Sequence, residues 1–195
     1  MAIEKRQSTD TRRARSRQMI LAATSRVLSE RGLNLMTVED ILQEAGVARA
    51  TFYSHFTDKN DATRAVVDEM FKRASQLYQS IHTLKEITPE TLRAWLSEAY
   101  EQWKAYQAEV SSLVRDFAGF FRSPQFTQLE EFARVLVGDG SQFACSEETA
   151  LLRARLLIVQ LERAMMDTVN GNWPVAKSQL IDELVVLWHS AMTRP

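Results

Sequence analysis

The sequence predicts an all-α protein, with an N-terminal three-helix unit built around a helix-turn-helix and a larger helical bundle behind it, about nine helices in total. Three observations carry that expectation. Apolar residues recur at spacings of three and four along nearly the whole chain, and no pair of alternating strands stands out. The 6 glycines and 4 prolines are sparse and fall at the joints between these periodic runs. Between Thr37 and Phe56, two short amphipathic segments flank a single glycine, which is how a helix-turn-helix is written.

The first helix is expected from about Thr11 to Arg31, with Ile20, Ala23, Val27 and Leu28 inward and Gly32 ending it. Thr37 then offers a hydroxyl to the free N–H groups of a second helix, and Asp40 completes a short-armed capping box. Val38, Ile41, Leu42 and Ala45 share one face of that helix, leaving Glu39, Gln43 and Glu44 to solvent. Gly46 stands where a left-handed backbone stops the helix, and Val47 follows as the turn residue. The third helix is expected from Ala48 to His55, anchored by Phe52 and Phe56 four positions apart. Its remaining positions, Ala48, Arg49, Ala50, Thr51 and Ser54, carry no bulky apolar group, so the backbone can come close to base edges in a major groove. Arg49 can donate a bidentate pair to guanine, and Thr51 brings a hydroxyl and a methyl. Tyr53, His55 and Lys59 suit phosphate oxygens, which fix register without reading sequence.

A fourth helix is expected from Asp58, with Thr57 as N-cap, through Val66, Met70 and Leu77 toward His82. Thr88-Pro89-Glu90 announces a fifth, carrying Leu92, Trp95, Leu96, Ala99, Trp103 and Tyr106. A sixth is expected from about Ala108, with Val110, Leu113, Val114, Phe117, Phe120 and Phe121, stopping before Pro124. Phe126 to Val137 form a seventh, closed by Gly138-Asp139-Gly140. Ser146-Glu147-Glu148 caps an eighth that ends at Asn170-Gly171, and Trp173-Pro174 opens the ninth.

At 195 residues and 45% hydrophobic content, the chain can bury a substantial core. It contains no run of 18 apolar residues, so no membrane span is expected. Its basic start lacks the apolar centre of a secretion signal. The lone Cys145 excludes an intramolecular disulfide and fits a reducing cytoplasm. The net charge of −1 conceals an asymmetry, because residues 1–60 carry 10 Lys/Arg against 7 Asp/Glu, and residues 61–195 carry 14 against 18. Beside a helix-turn-helix, the basic arm with Arg12, Arg13, Arg15 and Arg17 is a source of phosphate contacts and counterion release. Catalysis has no foothold. The three histidines, His55, His82 and His189, fall in separate elements, and no glycine-rich phosphate loop, nucleophile elbow or Cys/His metal pattern occurs. No catalytic residue, cofactor or metal is expected.

The pieces Ile20-Leu21-Ala22-Ala23, Val27-Leu28, Glu30-Arg31-Gly32, Thr37-Val38, Ala45-Gly46-Val47 and Thr51-Phe52-Tyr53-Ser54-His55-Phe56, followed by Lys59, together resemble the tetracycline-repressor (TetR) family of transcriptional regulators. The resemblance covers about a quarter of the chain, from about Arg17 to Asp61. It implies a DNA-binding domain over residues 1–57, including the basic arm, and a ligand-binding and dimerisation domain over residues 58–195. The third helix becomes the recognition helix. Arg49, Ala50, Thr51 and Ser54 align with base-facing positions, and Thr37, Tyr53, His55 and Lys59 with phosphate-contacting ones; Val38, beside Thr37, completes the expected DNA-binding set. Ala50 departs from the polar residue frequent at its position, and Thr57-Asp58 replaces the more usual Pro-Ser.

The resemblance further implies a homodimer in which the last two helices of each copy form a four-helix interface. Two recognition helices can then enter successive major grooves of a palindromic operator, about 34–36 Å apart. The aromatic load of the middle helices suits a small hydrophobic or aromatic effector held by Trp95, Trp103, Tyr106, Phe117, Phe120, Phe121, Met165 and Met166. The expected function is therefore a cytoplasmic, ligand-responsive DNA-binding regulator, most simply a repressor acting by occupancy. The other reading is a helical adaptor that binds a protein partner through its aromatic surface. That reading leaves the basic residues around the turn unexplained.

Overall fold

Eight α-helices and one 3-10 turn make up the described chain, and no strand occurs among the described residues: α1 (Ala2–Leu35), α2 (Val38–Ala45), α3 (Arg49–Tyr53), α4 (Lys59–Ser80), the 3-10 turn (Ile81–Thr83), α5 (Pro89–Asp116), α6 (Gln128–Val137), α7 (Glu147–Val169) and α8 (Lys177–Thr193). The structure, a computed structural model, describes the backbone of residues 2–116 and 128–195 and the side chains of 11–105 and 128–195. Among the residues discussed above, the side chains of Tyr106, Val110, Leu113, Val114, Phe117, Phe120, Phe121 and Phe126 lie outside that description. No helix among the described residues is long and apolar enough to cross a membrane. The described residues fall into two compact units, one of residues 2–70 with 108–116 and the other of 71–107 with 128–195.

In the first unit, α1 packs on α2 and α3. Ile20, Ala23, Val27 and Leu28 of α1 are buried, together with Met36, Ile41, Ala45, Phe52 and Phe56. At Gly32 the backbone leaves the helical region (φ 75°, ψ 164°), so α1 is a long helix followed by a short separate turn. The capping box at α2 is complete: Asp40 N–H donates to Thr37 Oγ1 over 3.2 Å, and Thr37 N–H donates to Asp40 Oδ2 over 2.9 Å. The Thr37 hydrogen bonds, with Arg31 beside them, hold the Asp40 carboxyl below its ordinary pKa. Arg31 and Arg26 of α1 pair with Asp40 and Glu44 of α2 at 2.7 and 2.5 Å. The start of α4 differs from expectation. Asp58, not Thr57, caps it, accepting from Asp61 N–H at 2.8 Å, while Thr57 N–H donates to Asp61 Oδ2 at 2.9 Å. The carboxylate reaches the third helical N–H as well as a hydroxyl would, and its charge suits the helix N-terminus.

The core of the second unit gathers Leu77, Tyr78, Ile81, Leu92, Trp95, Leu96, Phe132, Leu136, Ile158, Leu161, Met165, Leu184 and Trp188 among others. α7 packs on both α6 and α8. The segments expected as two helices on either side of Gln107 form one 28-residue helix, α5. Nothing at Tyr106-Gln107-Ala108-Glu109 breaks a helix, since glycine and proline are absent there and Gln, Ala and Glu all favour helix. Merging those two segments leaves eight α-helices among the described residues in place of nine. α8 has no basic residue in its last turn, and Arg153 of α7 donates to Ala191 O at 2.9 Å and Arg194 O at 2.6 Å in its stead. One polar pair sits within this core. The Tyr78 hydroxyl donates to Glu162 Oε1 over 3.1 Å, and burial raises the Glu162 carboxyl to about 7.

Candidate nucleic-acid interface

The turn after α2 is built as its sequence dictates. Gly46 adopts φ 63° and ψ 34°, and its N–H donates to Leu42 O, which ends α2 and turns the chain toward α3. Helix α3 is shorter than expected, spanning Arg49–Tyr53, with Ala48 as an extended N-cap that makes no side-chain bond and Ser54 as C-cap. Phe52 is fully buried and its ring lies 5.8 Å from that of Phe56, so one face of α3 is fixed to the core. Ala48, Arg49, Ala50, Tyr53 and Ser54 are exposed, and Thr51 is half-buried. The outward strip thus holds a cation, small side chains, hydroxyls and one aromatic edge.

Several members of the expected DNA-binding set already have employment within the protein. Arg49 forms an ion pair with Glu39 of α2, both side chains being about 60% exposed. The pair holds the guanidinium beside the strip, and its exposure means it is worth only about 0.2–1 kcal/mol. Ser54 Oγ donates to Thr51 O over 2.7 Å. Thr37 is exposed but committed to the capping box, and Val38 is half-buried beside it. Lys59 Nζ donates to Leu33 O at 3.0 Å and Met36 O at 2.8 Å, fastening the start of α4 to the end of α1. His55 is half-buried, with Nε2 2.8 Å from Ser16 Oγ.

Sequence reasoning missed three of these links. The Ser16–His55, Lys59–Leu33 and Arg49–Glu39 contacts join positions 39, 26 and 10 residues apart in different elements. Helical periodicity carries no signal for them. For Glu39, the only hint was that an acidic residue faces solvent just before a helix rich in basic and hydroxyl groups.

Of the described members of the expected effector set, Trp95 and Met165 are core residues, 4% and 0% exposed. Trp95 Nε1–H donates to Ser80 Oγ at 2.9 Å, and its ring lies 5.1 Å from that of Trp188. Trp103 and Met166 are half-buried. Tyr106, Phe117, Phe120 and Phe121 lie outside the described side chains. An apolar stripe stays uncovered on the last two helices, with Leu152, Leu156 and Val159 of α7 and Val186 and Leu187 of α8 all more than half exposed.

Residues 20–66 match the family model of bacterial regulatory proteins, tetR family. The uncharacterized HTH-type transcriptional regulator YvdT of Bacillus subtilis is 34% identical over 70 residues. That alignment covers 36% of this chain and 31% of the relative, so the chain matches about a third of the curated relative's length. Among solved structures, a protein of Mesorhizobium loti assigned to the TetR family superposes with a TM-score of 0.68 at 18% identity, covering 92% of this chain and 96% of that one. The regulatory protein TetR from Rhodobacter sphaeroides does so at 0.60 and 18% identity, covering 89% and 97%. The fold is therefore shared over about nine-tenths of the chain, whereas the family model matches residues 20–66, which hold the helix-turn-helix. That region is what the chain has in common with the tetR family of bacterial regulatory proteins.

Proposed function

We propose that the protein is a homodimeric, duplex-DNA-binding transcriptional regulator, a repressor that a small hydrophobic or aromatic effector releases from a palindromic operator. Residues 1–57 bind DNA in this reading, and residues 58–195 dimerise and take the effector. The observation that carries it is the outward strip of exposed Arg49, Ala50, Tyr53 and Ser54, with half-buried Thr51 among them, on a short helix whose opposite face is anchored by Phe52. Such a helix can enter a major groove without uncovering its core. Leaving Glu39 costs Arg49 less than the 1–3 kcal/mol that a good bidentate contact to guanine contributes to discrimination.

The dimer partner is a second copy of this chain. Leu152, Leu156 and Val159 recur at i, i+4 and i+7, so one stripe of α7 beside exposed Val186 and Leu187 of α8 presents a self-complementary apolar face. Dimerisation places two recognition helices on one duplex, which a single short helix needs for specific binding. The effector acts by population shift: it releases DNA only to the extent that it prefers the conformer whose recognition helices no longer match the groove spacing. Trp103 and Met166, both half-buried, are the described members of the expected effector set that are not fully enclosed in the core.

Selection of bound sequences from random duplex DNA tests the reading, repeated with apolar aromatic compounds present. The expected outcome is a palindromic consensus whose affinity falls steeply with salt and whose recovery drops with an effector. Saturable binding that ignores both sequence and ionic strength would remove the basis for a regulator.

A further inference from the structure

Arg13, Ala14, Arg17 and His55 line a shallow cleft in the N-terminal unit. Both arginines are exposed. The Arg17 guanidinium lies 5.4 Å from the centroid of the Phe56 ring, and stacking on its face leaves the edge N–H donors for an acceptor. Ser16 Oγ stands 2.9 Å from the Arg13 carbonyl oxygen and 2.8 Å from His55 Nε2. A hydroxyl has one proton; given to the Arg13 carbonyl, it leaves the oxygen to accept from Nε2–H. Nδ1 is then the nitrogen at which His55 gains a second proton.

The charged groups acting on that ring are Arg13 and Arg17 of α1, and its neighbour on the chain side is Phe56, with ring centroids 6.2 Å apart. No carboxylate among the described residues offsets them. Burial first, and the two arginines next, hold His55 below the ordinary histidine pKa. A cleft with two fixed cations and a suppressed third wants an oxyanion. His55 directly follows Ser54 of the exposed strip, so an oxyanion seated here flanks whatever base edges that strip meets.

We propose that this cleft is a proton-linked seat for one phosphodiester group of duplex DNA, His55 taking up a proton as the phosphate docks between it and the two arginines. The inference rests on the DNA-binding reading above and adds a pH dependence to it. The anion offsets the repulsion from Arg13 and Arg17, so His55 holds its proton to higher pH in the complex than in the free protein. Affinity therefore rises as pH falls through the window between those two values, by up to about tenfold per pH unit and per protomer, and levels off below the free-state value.

The full chain is titrated with a duplex of random sequence at constant ionic strength between about pH 5 and 8, with the His55 ring protons followed by NMR. Only three histidines are present, and the His55→Gln variant assigns the signal. The expected result is affinity that grows on acidification and a His55 titration that moves upward in the complex. His55→Gln flattens the pH profile while keeping the salt dependence. Arg13→Gln, which leaves the Ser16–His55 bond in place, raises the free-state titration and reduces the slope. Inorganic phosphate at matched ionic strength, in the absence of DNA, leaves His55 largely unmoved. If it shifts His55 as far as the duplex does, the seat takes free anions and the DNA assignment is overturned. Salt-sensitive binding with the same pH slope in parent and His55→Gln overturns the proton linkage alone; no salt-sensitive binding to any duplex overturns both readings.

Discussion

Arg49 and Lys59 both stand where a cation meets DNA by family resemblance, but the structure gives them different work. Among the described residues, the tether of Arg49 is an exposed pair with Glu39. Removing that competitor and its negative charge in Glu39→Gln is expected to raise duplex affinity severalfold with little change in stability, checked by fluorescence anisotropy and thermal melting. Arg49→Ala is expected to relax base preference by about 1–3 kcal/mol at one position of a selected operator. Lys59 is different because two of its three donors satisfy the carbonyls of Leu33 and Met36. Lys59→Met should destabilise the N-terminal unit by about 1–3 kcal/mol, seen in urea unfolding of the protein without DNA. Unchanged unfolding would return Lys59 to a purely phosphate-contacting part.

Among the elements, α2 was legible in detail. Thr37, Asp40 and Gly46 act through their own local backbone, and the capping box and left-handed turn follow from residue type alone. The joint between α4 and the preceding turn was less so, because Thr57 and Asp58 are both competent caps and only the backbone geometry chooses between them. The length of α5 was misjudged for the opposite reason. The sequence reading places a new helix at about Ala108, but the residues around Gln107 supply no breaker and the helix runs on. Which aromatics are core was also hidden, since Trp95 and Trp103 share the same helical periodicity but differ in burial. The uncovered stripe on α7 carries its own test. Leu156, 63% exposed, contributes little to the fold of one copy. Leu156→Arg should therefore leave the far-ultraviolet spectrum intact while shifting sedimentation from dimer to monomer and weakening operator binding by tenfold or more. A dimer that survives the substitution would place the interface elsewhere.

For the molecule as a whole, the Tyr78–Glu162 pair ties stability to pH. Its folded-state pKa is raised, to about 7, above the ordinary glutamate value. The stabilising contribution of a raised group is complete below the unfolded-state value and fades as pH climbs toward the folded one. Glu162→Gln keeps an acceptor for the Tyr78 hydroxyl and removes the charge. It should match the parent near pH 4.5 and exceed it at pH 8 by on the order of 1–2 kcal/mol, discounted for partial exposure. Parallel melting curves for the two proteins across that range would show that Glu162 finds its charge no burden. His55 leans the other way: its depressed pKa gives stability that is present above the unfolded value near 6.5 and lost on acidification.

The division of labour on α3 reaches beyond one operator. Phe52 and the neighbouring Phe56 secure the helix from behind, so Ala48, Arg49, Ala50 and Ser54 owe almost nothing to folding. On the proposed reading, in which this strip meets base edges, substitutions there change which promoter is recognised while the scaffold stays whole. Under that reading a lineage carrying this helix acquires new targets by single steps, none of which has to pass through an unfolded ancestor.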